Sequence, residues 1–82
     1  DGDNFMQDIE EAVNTDAPQD AGAAAHSLKS IMRQLGCATV AGHAYEIEQA
    51  GKGQDIVKCR DMLAPLQESY RATRDYLNSL AE

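Results

Sequence analysis

Residues 17–36 read APQDAGAAAHSLKSIMRQLG. On a helical wheel at about 100° per residue, Ala21, Ala24, Ala25, Leu28, Ile31, Met32 and Leu35 gather on one side. An apolar stripe of that width belongs against a core. Pro18 suits a first helical turn, where its missing N–H costs nothing, and Gly36 suits the position just past the last turn. The spacing therefore predicts one helix over about residues 17–35. His26 falls opposite the stripe and points to solvent. Gly22, Ala23, Lys29, Ser30 and Arg33 share its side.

The same periodicity recurs on both sides of this stretch. Phe5, Met6, Ile9, Ala12 and Val13 share a face and predict a helix over residues 4–14, with Asp3 or Asn4 as its cap. Thr15 or Asp16 is placed to cap the next helix. Val40, Ala44 and Ile47 predict a third over residues 39–50, ended by Gly51 and Gly53. Asp55 caps a fourth over residues 56–80, where Leu63, Leu66, Tyr70, Thr73, Leu77 and Leu80 step by three and four. Pro65 sits inside that run and is expected to bend or break it near Asp61. No alternating run long enough for a strand occurs. Short joints force neighbouring helices to run antiparallel. The expected fold is all-α, an up-down-up-down four-helix bundle.

Composition narrows the function. A chain of 82 residues makes one small domain, expected over 1–82. Lys plus Arg number 7 against 14 Asp plus Glu, a net charge of -7, which argues against a module for nucleic acid or an anionic membrane, both of which need a basic face. At 43% hydrophobic the chain is not a disordered acidic tail. No stretch approaches the roughly 18 apolar residues of a membrane span, and no signal-peptide pattern opens the chain. The first residue is Asp rather than Met, so the domain is expected to be cut from a longer protein. Cys37 and Cys59 are too few for a disulfide scaffold and are read as reduced thiols of a cytoplasmic protein.

An exposed imidazole with small residues one turn before it and cations on one flank stands out in so acidic a chain. Such a face suits close approach of a partner, or an anion such as a phosphoryl group near the ring. Taken alone, the residues fit a solvated helix face better than a functional one, and a helical adaptor that docks a partner without chemistry stays open beside them. A metal site from His26, His43 and Glu46 or Glu48 would need helical ligand pairs, and only His43 with Glu46 has that spacing. No metal site is expected. His43 reads as a packed or boundary histidine, and Met6, Met32 and Met62 as core filling. The Gly51-Lys52-Gly53 stretch is too short for a phosphate-binding loop and reads as a turn.

The run AHSLKSIMRQLG, residues 25–36, resembles the signature of histidine-containing phosphotransfer (HPt) domains. His26, Leu28, Lys29, Leu35 and Gly36 match that pattern, while Ser30 stands where the family usually has Gly. The stretch AYEIEQAGKGQD, residues 44–55, and the opening FMQDIEEAV are also similar to the family, so the likeness covers about residues 5–80.

The resemblance implies a phosphorelay intermediate, a carrier without kinase activity of its own. His26 would accept a phosphoryl group from a receiver-domain aspartate and pass it to another. Nε2 would be the attacking atom, being farther from the backbone. Lys29 would offset phosphoryl charge, and Glu48 would orient the ring. Gly22, Ala23, Ser30 and Arg33 would meet the receiver. No cofactor belongs to the chain; Mg²⁺ would come from the receiver. The parent would be a hybrid sensor histidine kinase acting in cis or a free-standing carrier, cytoplasmic or the cytoplasmic part of a membrane-bound kinase.

Overall fold

A computed structural model describes residues 2–81, with side chains to residue 80; Asp1 and Glu82, the ends of the expected domain, lie outside the described residues. Four helices follow in order: α1 Gly2–Asn14, α2 Pro18–Gln34, α3 Ala38–Lys52 and α4 Ile56–Ala81. Among the described residues there is no strand. Three residues separate each helix from the next, too few to do anything but reverse direction.

The three joints share one geometry. Asp16, Gly36 and Gln54 each take a left-handed conformation, with φ of 55, 76 and 56°. The next N–H in each case reaches back five residues: Ala17 to the Ala12 carbonyl, Cys37 to Met32 and Asp55 to Ala50, at 2.8 to 2.9 Å. These are Schellman closures, which satisfy the last carbonyls of one helix while the chain enters the next. Only Gly36 advertises the position in the sequence. Asp16 is thus a helix-ending residue and not the cap of α2, whose first residue is preceded by Ala17 with no side-chain cap bond. The Asp55 cap forms as expected, its Oδ1 accepting the Lys58 N–H at 3.1 Å. At the other end, α1 starts at Gly2, so Asp3 and Asn4 lie in its first turn. Asp3 instead accepts the Tyr70 hydroxyl from α4 at 2.5 Å.

The core lies between α2 and α3, with α1 packed on α2 and α4 closing on α3. Ile9, Leu28, Ile47, Leu66, Val13, Val40 and Cys59 are fully buried. Each large side chain so buried contributes about 1.5–3 kcal/mol. Met6 and Met32 are buried and Met62 packs against the cluster, as expected. Both cysteines are free thiols.

The seam of α4 does not hold along its whole length. Leu66 is buried, but Leu77 is 37% and Leu80 65% exposed. A helix of 26 residues is about 39 Å long, nearly the whole 40 Å axis of the molecule, and it outruns its shorter neighbours. Pro65 does not break it; α4 is one element from Ile56 through Ala81.

Candidate functional site

The face of α2 that carries His26 is set by how α2 meets α3. Gly22 and Gly51 sit at the crossing, and both are buried. A Cβ on Gly51 would lie 2.7 Å from Gly22 Cα and 2.5 Å from the Pro18 carbonyl oxygen. The two backbones approach this closely only because neither residue has a side chain. Glu48, one turn before Gly51, is thereby pressed against α2.

Its carboxylate is the centre of the site. The Glu48 side chain is 6% exposed, and Oε1 accepts Lys29 Nζ at 2.5 Å. Oε2 lies 2.8 Å from His26 Nδ1 and 3.5 Å from Lys52 Nζ. Burial alone would push the Glu48 carboxyl up. The hydrogen bonds and charges of Lys29 and His26 outweigh it and hold the group at about 2. An ionised carboxylate only accepts, so the proton in this hydrogen bond belongs to Nδ1. In the neutral ring the lone pair then lies on Nε2, and the His26 side chain is 61% exposed.

The Hpt domain family model matches residues 1–81. The chain belongs to the Hpt domain family. Hpt domains are helical phosphocarrier modules of phosphorelays, in which histidine carries the phosphoryl group. No curated protein and no solved structure shows a significant match to the chain. No helix among the described residues is long and apolar enough to cross a membrane.

Within this Hpt domain the sequence-predicted residues separate into two groups. His26, Ala23, Ser30 and Arg33 are exposed on one face of α2, as the wheel requires. Lys29 and Gly22 are not. Lys29 is 8% exposed, its ammonium paired with Glu48 and 5.3 Å from the centre of the Tyr45 ring. It is no open positive flank. Gly22 is no cleared platform either, because α3 fills the space it leaves.

The wheel centres the buried arc on the apolar residues. With α3 seated to one side, the arc is skewed by roughly 60° toward it and takes in both positions. Leu35, counted in the apolar stripe, follows the last turn of α2 and is 56% exposed. Lys29 and Glu48 are i and i+19 apart, so nothing local in the sequence announces their pairing.

His43 is half-buried on α3, its Nδ1 2.8 Å from Ser69 Oγ of α4. The structure thus engages it away from His26. Among the described residues no group of three or more metal-ligating side chains assembles. Gly51 and Lys52 do not form the expected turn; both belong to α3, and the left-handed residue that ends it is Gln54.

The low Glu48 value fixes a pH dependence. A carboxyl held below its ordinary 4.5 in the fold contributes stability that is complete above about pH 4.5 and is lost as pH falls toward 2. The wild-type melting temperature should drop more steeply across that window than that of Glu48→Gln, as followed by circular dichroism at successive pH values. Parallel curves would mean that Glu48 is not held ionised in the fold.

Proposed function

We propose that His26 is the phosphoacceptor of this Hpt domain, taking a phosphoryl group from the aspartyl phosphate of one receiver domain and handing it to the aspartate of another. The observation that carries this is the His26–Glu48 hydrogen bond, which leaves Nε2 as the outward nucleophile. As Nε2 attacks phosphorus, the N–P bond forms and the P–O bond to the aspartyl oxygen breaks. The receiver carboxylate leaves with the electron pair. No proton has to move. Nδ1–H stays on the ring, and the positive charge that develops there faces an ionised carboxylate. Glu48 is far too weak a base to remove that proton, so it orients and stabilises.

The exposed Ala23, Ser30 and Arg33 make the receiver-docking face on this reading. Ser30 keeps the position small where the family usually has Gly, and its hydroxyl turns inward to the His26 carbonyl at 3.2 Å. The Mg²⁺ that supports the transfer belongs to the receiver's acidic pocket, and the chain is a carrier without kinase activity. A receiver held in cis, in a hybrid sensor kinase working in the cytoplasm, is the parent architecture this reading suits.

The test is incubation with a receiver domain carrying labelled phosphate. The chain should acquire acid-labile label, and His26→Gln should acquire none. Label that persists in His26→Gln would move the phosphoacceptor to another residue, and tight binding with no transfer at all would instead make the chain a docking adaptor.

A further inference from the structure

A dianionic phosphoryl group on Nε2 needs a cation, and the cation nearest to His26 in the motif is already engaged. Lys29 is 11% exposed in its side chain and bonds Glu48. Swinging it outward would strip a buried carboxylate of its main partner, which is strongly destabilising. Arg33 lies seven residues on, about 10 Å along the helix. Side chains of a helix lean toward its N-terminus, so the His26 ring leans over Gly22 and Ala23 and away from Arg33.

Lys52 stands on the side to which the ring leans. It lines one groove with His26, Gln19, Gly22, Ala23, Glu48 and Gly51, of about 530 Å³. Its floor is the glycine crossing. The Lys52 side chain is 67% exposed, and its Nζ is 3.5 Å from Glu48 Oε2, the oxygen that also holds His26 Nδ1. That distance is beyond a normal hydrogen bond, and an exposed pair of this kind contributes about 0–1 kcal/mol. Lys52 is therefore held close to the ring but is cheap to redirect. When the ring becomes cationic, Glu48 gains a full charge partner at the moment that Lys52 leaves.

We propose that Lys52, rather than Lys29, is the cation that neutralises the phosphoryl group on His26, and that this group's oxygens occupy the groove between the two side chains. The proposal rests on His26 being the phosphoacceptor. It divides the labour of the two lysines: Lys29 fixes Glu48, and Lys52 serves the phosphoryl group. Gln19, on the groove wall, offers an amide N–H to the same oxygens.

The test uses phosphoramidate, a small donor that phosphorylates imidazole without a docked partner. Lys52→Ala should slow labelling of His26 about tenfold or more. The ³¹P titration midpoint of the phosphorylated ring should rise by roughly 0.5–1 unit, because a cation on the phosphoryl oxygens offsets the negative charge that favours a protonated ring. Lys52→Arg should restore both. Lys58→Ala, which removes the same charge from a distant surface pair with Glu46, should change neither.

An unchanged rate and midpoint in Lys52→Ala, with His26→Gln unlabelled, would overturn the role of Lys52 and leave the phosphoacceptor in place. Label persisting in His26→Gln, or a wild-type chain that takes none, would overturn the phosphoacceptor and the role of Lys52 together.

Discussion

Glu48→Ala should be the most damaging single change, costing both folding stability and transfer. The carboxylate is buried, and it is the partner of a buried ammonium. Removing it strands Lys29 without a counter-charge, a loss of about 3–5 kcal/mol. The whole stability of a small domain is about 5–15 kcal/mol. For a domain of this size each kcal/mol lowers the melting temperature by about 4–8 °C. Unfolding alone would then explain lost activity, so the informative variant is Glu48→Gln. Its amide keeps an acceptor for Nδ1–H but has no charge to set against the developing imidazolium. Transfer should fall by about 10²-fold in a chain that remains folded at neutral pH. Adding Lys29→Met to Glu48→Gln should recover part of the stability, because no buried ammonium is left without a counter-charge, yet leave transfer impaired. A folded Glu48→Gln chain that transfers at the wild-type rate would remove Glu48 from the chemistry.

The second large effect is expected at the helix crossing. Replacing an ordinary glycine inside a helix with alanine gains about 1 kcal/mol. Gly51→Ala should do the reverse. The added Cβ meets the Pro18 carbonyl oxygen at 2.5 Å and the Gly22 nitrogen at 2.9 Å. Both are backbone atoms with no rotamer to escape into, so α2 and α3 must part. Overpacking of this kind costs about 1–3 kcal/mol. It also draws Glu48 away from His26, so transfer should fall together with the melting temperature. Gly22→Ala is the graded control. Its Cβ would meet Gly51 Cα at 3.2 Å and the Glu48 carbonyl oxygen at 3.3 Å, a milder collision that should cost less. Thermal melts of the two variants give the ranking. A Gly51→Ala chain more stable than wild type would show that the crossing has slack.

Much of this was legible in the residues. Periodicity located all four helices within a few residues, Pro18 and Gly36 marked the ends of α2, and Asp55 marked the start of α4. The wheel alone put His26 outside. The misreadings share one cause, which is that a wheel sees a single helix. Gly22 and Lys29 look solvent-facing until α3 arrives beside them. Gly51 looks like a stop until Gly22 is found against it. The pairing of Lys29 with Glu48 joins two helices, and only the family resemblance, not the spacing, pointed to Glu48. Lys52 was missed although it stands four residues after Glu48, the spacing of a helical ion pair, because the glycines around it suggested a turn. The left-handed Asp16 and Gln54 were invisible for a different reason. Neither is glycine, and what holds them there is the closure of the joint rather than their own preference.

The most direct test is to locate the phosphorus atom on the phosphorylated, ¹⁵N-labelled chain by nitrogen–phosphorus coupling, and the ring proton by long-range proton–nitrogen correlation. Phosphorus is expected on His26 Nε2 with the proton on Nδ1. Phosphorus on Nδ1, or on any other residue, would overturn the roles given to His26 and Glu48.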